Sequence, residues 1–306
     1  MTSFIHLHNH SDFSLLESSQ SIQSIVDKAK SLSMKSIALT EKGNLFSMID
    51  FYKYANKSGI KPILGCEIEI KHHIRPSFSL VLLAKNKQGY LNLMKLVSLS
   101  HINTNHHPMI EQEVLERYKE GLIVLSAGLN GEITHFASLG NYQSAHDTAQ
   151  KYKNTFGEDF YIEIQNHGLE AEINSHKVLS QLSNDLSIPM VATNNTYYTN
   201  KEDAESCDII RCIGSGHNIQ DPNRPISESN EYYIKSEDKM RILFKDYSEA
   251  IENSYKIAEK CNVEINMDEL FLPPFDIPKK SNATNADEYL YELCDNAILN
   301  KYDKKD

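Results

Sequence analysis

The stretch SIALTEKGNLFSMIDFYKYANKSGIKPILGCEIEI, residues 36–70, contains two runs that read as strands, SIALT (36–40) and KPILGCEIEI (61–70), around an amphipathic stretch. Short β-branched or aliphatic runs of this kind are strand signals. Outward from it, FIHLH (4–8), SLVLLA (79–84), GLIVLSA (121–127), DFYIEIQ (159–165) and IPMVATN (188–194) repeat the pattern, which makes seven strands. Helical spacing lies between them, as in Ile22, Ile25, Val26 and Ala29, and in Tyr90, Leu91, Met94, Leu96 and Val97. Strands that are almost continuously apolar and alternate with helices predict an α/β fold built on a parallel sheet covered by helices.

The polar residues fall at one place in each repeat. His6 and His8, Thr40 to Lys42, Glu67, His167, and Asn194 to Tyr197 lie within or just beyond the C-terminal ends of the strands. A β/α barrel collects its active site there. An open doubly wound sheet does so too, although polar groups on five strands suit a ring better than a single crevice. His6 and His8 are two apart, so on a regular strand both point to one face and can bind one cation through imidazole nitrogens. His10 continues the alternation, but the strand is expected to end before it. It reads as a residue that supports the ligands or bonds within a turn.

Composition bounds the rest. A chain of 306 residues with 40% hydrophobic and 24% charged residues is an ordinary globular chain, long enough for one barrel and an appendage. The start, MTSFIH, has no basic, apolar leader, and no run approaches the roughly 20 apolar residues of a membrane span. The expected location is cytoplasmic, with no membrane partner. The five cysteines are odd in number and scattered, with no C-x-x-C pair, so they read as buried free thiols rather than disulfides or a zinc ribbon. A net charge of −11 repels phosphates, so nucleic-acid contact has to be local or belong to another part of a larger protein. His72-His73 and His106-His107 read as loop surface, Tyr232-Tyr233 as packing residues, and Lys301, Lys304 and Lys305 as a solvated end.

After about residue 200 the strand rhythm stops. KEDAESCDIIRCI reads as a helix, DPNRPISESNEYYIKS as an irregular crossing, and EDKMRILFKDYSEAIENSYKIAEKCN as two helices. LFLPPFDIPKKSNATNADEY (270–289) carries the strongest linker signal. The last helix has an apolar stripe, Leu290, Leu293, Ala297 and Ile298, with only DKKD after it. Either the chain is an N-terminal piece of something longer, or this helix folds back onto the barrel.

Taken in order, FIHLHNHSDFSLLES, SIALTEKGNLFSMIDFYKYANKSGIKPILGCEIEI, LVLLAKNKQGYLNLMKLVS, GLIVLSAGLNGEI, DFYIEIQNHGL, IPMVATNNTYY and AEKCNVEI...LFLPPF resemble the N-terminal PHP (polymerase and histidinol phosphatase) domain of bacterial replicative DNA polymerase III α subunits. The resemblance spans essentially the whole chain. It implies a distorted seven-stranded β/α (TIM-like) barrel of the PHP type with a helical C-terminal extension. The divisions it implies are a barrel at 1–200, a helical remainder at 201–268, and a linker with the start of the polymerase palm at 269–306. The CNVEI to LPPF tail disfavours a free-standing histidinol-phosphatase-like enzyme.

In family members with an intact site, His, Asp and Glu side chains at the strand ends hold a three-metal cluster linked to 3′-5′ exonuclease activity. By this resemblance His6 and His8 match the first ligand pair, Glu67 a bridging carboxylate and His167 a later histidine. Glu17 stands where Asp is usual. The usual T-D-H is Thr40-Glu41-Lys42, which makes Glu41 a supporting residue, and the histidine before LVLLA is Ser79. The usual N-D-x-H is Asn194-Asn195-Thr196-Tyr197. An ammonium cannot ligate a metal, and at 4 Å it would repel each positive charge of a cation by about 4 kcal/mol at an effective dielectric near 20. Lys42 is therefore expected to neutralise Glu67, Glu41 or Glu17 in place of a metal.

The expected role is a structural and docking domain of a DNA-directed DNA polymerase, with no metal at the barrel site and magnesium at the polymerase site beyond residue 306. The expected partners are the palm and thumb of the same chain, a proofreading exonuclease among other replicase subunits, and DNA through the parent chain. The alternative is a residual phosphoesterase or 3′-5′ exonuclease using zinc or manganese at a reduced site.

Overall fold

The computed structural model describes residues 4–102, 108–267, 273 and 275–302. His106, His107, Lys304 and Lys305 lie outside these. Backbone contacts divide the chain into two units, Met1–Glu264 and Ile265–Asp306.

The first unit holds the strands β1 (Ser36–Lys42), β2 (Lys61–Lys71), β3 (Ser77–Ala84), β4 (Met109–Ile110), β5 (Leu122–Leu125), β6 (Phe160–Ile164) and β7 (Met190–Ala192). They form one curled sheet in the order β1-β2-β3-β5-β6-β7, with β4 on the C-terminal end of β2. The helix α1 (Ile22–Ser31) precedes β1, and α2 (Met48–Ser58), α3 (Lys87–Ile102), α4 (Gln112–Arg117), α5 (Glu132–Ser138), α6 (Tyr142–Phe156) and α7 (Glu170–Leu186) come between strands. The helical extension follows as α8 (Ala204–Ser215), α9 (Glu237–Leu243) and α10 (Ser248–Lys260), and the second unit carries α11 (Ala286–Lys301).

The expected α/β architecture is present, with two corrections to its details. The sheet is mixed, because β3 runs antiparallel to both β2 and β5. Only residues 72–76 join β2 to β3, and a parallel crossover needs a dozen or more. FIHLH lies in the barrel wall without a regular ladder, and the short β4 is the seventh strand. The N-terminal segment accepts from Ala38 N at His6 O (2.9 Å) and from Thr40 N at Asn9 O (2.8 Å). On its other side Thr196 N donates to His8 O (3.2 Å) and His10 N to Thr196 O (3.0 Å). It thus stands between the first strand and the stretch after the last one, curling the sheet into a distorted barrel.

That pairing contains an extra residue. Two steps along β1, Ala38 to Thr40, match three along the N-terminal segment, His6 to Asn9. Such a bulge breaks the alternation of faces. Ile5 and Leu7 belong to the inner apolar cluster with Ala38, Ile63, Val81, Leu83, Ile123, Leu125, Tyr161 and Val191. Past the bulge, His8 and His10 take over the inward positions, and His6 is left on the other face.

Helix α10 and the residue that ends it add Ile257, Ala258 and Cys261 to this cluster, so one end of the barrel is apolar and the polar strand ends form the other. Along β2 the inward series runs Ile63, Gly65, Glu67, and along β6 it runs Tyr161, Glu163. Helix α1 buries Ile22, Ile25, Val26 and Ala29 as expected, with Ser21 capping its start. In α3 the buried stripe is Leu93, Leu96 and Val97, an i, i+3, i+4 set, while Leu91 and Met94 are exposed. Cys66, Cys207, Cys212 and Cys261 are buried free thiols, and Cys294 is exposed. His72 is not free loop surface: its ring meets Phe78 edge-on at 4.9 Å, and Nε2 lies 3.3 Å from Glu132.

Candidate metal centre

His8 sits at the centre of the polar end of the barrel. Its Nε2 lies 3.0 Å from Glu67 Oε2 and its Nδ1 lies 2.9 Å from Glu163 Oε1. His10 Nε2 lies 3.2 Å from the same Glu67 oxygen. His8, His10 and Glu67 each offer one donor atom within 4.8 Å of the others, and all three are buried. Burial alone would lower the His8 pKa, but Glu163 and Glu67 outweigh it and raise the ring to about 10. Burial likewise works against ionisation of Glu67, and His10 and His8 still hold its carboxyl well below the usual range.

The other residues singled out by sequence take distinct places. His6 Nε2 donates to Lys235 O at 2.9 Å, outside the group, and burial pulls its pKa down to about 4. His167 is held by Glu172, with Nδ1 2.6 Å from Oε1, and stacks on Tyr232 with centroids 4.1 Å apart. Glu17 is half-buried and accepts from Lys42 Nζ at 3.0 Å. Of the three carboxylates named for Lys42, Glu17 is thus the one it contacts, although Lys42 is the register partner of Glu67 across β1 and β2.

Glu41 is enclosed by hydroxyls: Ser14 Oγ donates at 2.5 Å, Ser47 Oγ at 2.8 Å, and Ser11 Oγ also donates. Ser79 is buried on β3 opposite Glu69. Asn195 Nδ2 donates to the Tyr197 hydroxyl at 3.2 Å, and the Tyr197 ring lies parallel to His10 with centroids 4.7 Å apart.

Sequence reasoning missed Glu163. It is fully buried, and the signal was a carboxylate inside the otherwise apolar run FYIEI, where a charge is costly unless paired.

The donor set suits a single ion. Two imidazoles and a carboxylate are good zinc or manganese ligands. Among the described residues, the buried side-chain polar atoms that make no hydrogen bond are His6 Nδ1, Glu67 Oε1, His167 Nε2, Asn195 Oδ1, His10 Nε2 apart from its 3.2 Å approach to Glu67 Oε2, and, elsewhere, Thr134 Oγ1. Such atoms are rare in folded proteins, and all but the last belong to this end of the barrel.

The family model described as the PHP domain matches residues 6–167, just over half of the chain. The chain belongs to the PHP domain family. Among curated proteins it is similar to the DNA polymerase III subunit alpha of Borreliella burgdorferi, at 42% identity over 98% of this chain and 27% of that protein. The same subunit of Treponema pallidum is 38% identical over 98% of this chain and 26% of its own length. That of Campylobacter jejuni is 39% identical over 87% and 24%. The PHP chain therefore spans about a quarter of the length of the curated relatives it matches. Among its described residues no helix is long and apolar enough to cross a membrane.

Proposed function

We propose that this chain is the PHP region of a bacterial DNA polymerase III α subunit, and that its barrel serves as a structural and docking domain rather than as a nuclease. The Lys42–Glu17 ion pair carries the reading. Where the family resemblance expects an imidazole and a carboxylate ligand, an ammonium is fixed against the carboxylate at 3.0 Å. Burial opposes the Lys42 charge, but Glu17 and Glu67 keep its pKa raised. Ser79, Asn195 and Tyr197 supply neither imidazole nor carboxylate, and the last two are hydrogen-bonded to each other. A three-ion cluster loses its ligands one by one in this way, while the fold keeps its packing.

On this reading DNA synthesis, with magnesium, belongs to the remainder of the polymerase. The partners of the barrel are the palm and thumb of that chain and a proofreading exonuclease, in the cytoplasm. DNA is reached through the parent chain, in keeping with the net charge of −11.

A second reading is favoured by the hydrogen-bond-free buried atoms. His8, His10 and Glu67 would hold one zinc or manganese ion, which when bound polarises a phosphodiester and lowers the pKa of water. The experiment that separates the readings is release of nucleotides from single-stranded DNA by the purified chain in manganese or zinc. The scaffold reading expects no release above a His8→Ala control. Ion-dependent 3′-5′ release that His8→Ala abolishes would overturn it in favour of the second.

A further inference from the structure

Glu163 is held from several sides in the barrel interior. Its Oε1 accepts from Gln165 Nε2 at 2.8 Å and from Thr193 Oγ1, and its Oε2 accepts from Ala127 N at 2.8 Å. Its own N–H is tied to Ser126 Oγ at 2.9 Å. The backbone after β5 is bent to reach it. Ala127 has φ 58°, a left-handed conformation that L-residues with a Cβ adopt at a cost. Gly128 follows at φ 54°, and a Cβ there would run into the Gln165 amide.

The same Oε1 faces His8 Nδ1 at 2.9 Å, with Gln165 Nε2 3.3 Å from that ring nitrogen. All the other donors to Glu163 belong to β6 or to the segments beside it, so the carboxylate is fixed before His8 is considered. A fixed acceptor at Nδ1 keeps a proton on that nitrogen and decides how the ring is turned. The remaining nitrogen, Nε2, is thereby aimed at Glu67 Oε2, 3.0 Å away and beside His10.

We propose that Glu163 is the positioning residue of this centre. It gives the His8 Nδ1 proton a fixed acceptor and turns Nε2 toward the point where a divalent cation between His8, His10 and Glu67 would lie. The inference rests on the single-ion reading for its consequence, and on hydrogen-bond geometry alone for the orientation of His8. A carboxylate behind a ligating imidazole typically strengthens metal affinity by about 10- to 100-fold.

The test compares the 306-residue chain with its Glu163→Gln and Thr193→Val variants. An amide at 163 must either give up the Ala127 N–H or turn its NH2 toward His8 Nδ1, which removes the acceptor of the Nδ1 proton. Thr193→Val removes one bond to Glu163 and leaves the carboxylate, so it covers the case in which Glu163→Gln fails to fold. Two readouts are taken: the His8 Nδ1–H signal from long-range 1H–15N NMR of the imidazole, and zinc affinity from calorimetry. The expected result is an exchange-protected Nδ1–H in the parent, its loss in Glu163→Gln, and zinc binding about 10- to 100-fold weaker, with a smaller loss in Thr193→Val. An unchanged Nδ1–H signal in Glu163→Gln, or in its absence an unchanged His8 spectrum and zinc affinity in Thr193→Val, would overturn the proposal. If the parent takes up no zinc, the single-ion reading falls, and the Nδ1–H signal still decides the role of Glu163.

Discussion

The ring of Tyr197 lies on the ring of His10, with centroids 4.7 Å apart and planes 11° apart. Arg211 places its guanidinium 4.9 Å from the centre of the same tyrosine. The tyrosine is almost fully buried, and burial, with Glu67 nearby, pushes its phenol well above the usual range, so it stays neutral. Tyr197 thus behaves as a packing residue in a position where the resemblance expects a ligand. Truncation to Ala should cost about 3 kcal/mol of stability, as for other large aromatics in cores. Tyr197→Phe, which loses only the bond from Asn195, should cost about 1 kcal/mol. Urea unfolding measures both, and equal losses would contradict the packing role.

The bulge between His6 and Asn9 separates two histidines that the sequence pairs. His8→Ala should abolish whatever zinc binding calorimetry detects, whereas His6→Ala should change it by less than about threefold. Equal losses in the two variants would place His6 back among the ligands.

Lys42 and Glu17 are about one-third exposed, so the pair itself should be worth little. A double-mutant cycle with Lys42→Met and Glu17→Gln is expected to give a coupling below about 1 kcal/mol. The electrostatic effect on an ion should be larger, with Lys42→Met tightening zinc binding on the order of tenfold, or ~1.4 kcal/mol. Unchanged or weaker binding would show that Lys42 does not oppose a cation here.

Buried Lys235 supplies a pH dependence. Its amine lies 3.1 Å from Asn194 Oδ1 and 3.4 Å from Glu231 Oε2, and burial lowers its pKa from 10.5 to about 8, with Glu231 offsetting part of the shift. Between pH 8 and 10.5 the unfolded chain binds more protons at this residue than the folded one, so stability rises with pH through that window. The contribution is complete above 10.5 and lost as pH falls through 8. Its full size is about 3 kcal/mol. Lys235→Met should remove this rise, and parallel stability curves for the two proteins would contradict it.

Much of this was legible in the sequence. The apolar runs at 36–40 and 61–70 gave strands in register, because a buried strand is an uninterrupted apolar segment. The strand-end positions of Glu67, Lys42 and Tyr197 followed from the same pattern. What the pattern could not carry was geometry between segments. The alternation of His6, His8 and His10 assumes a regular strand, and the extra residue against β1 depends on what lies beside it. Glu163 was hidden because its partners, Ala127, Thr193 and His8, come from three other parts of the chain. The reversal of β3 was readable in principle, since residues 72–76 are too few for a crossover.

The proposed scaffold role requires a PHP barrel without a metal cluster, and metal content per chain, by mass spectrometry after dialysis against manganese and zinc, tests it. At most one ion per chain is expected, and none in a His8→Ala/Glu67→Gln double variant. Two or more ions per chain, or one that persists in the double variant, would contradict it.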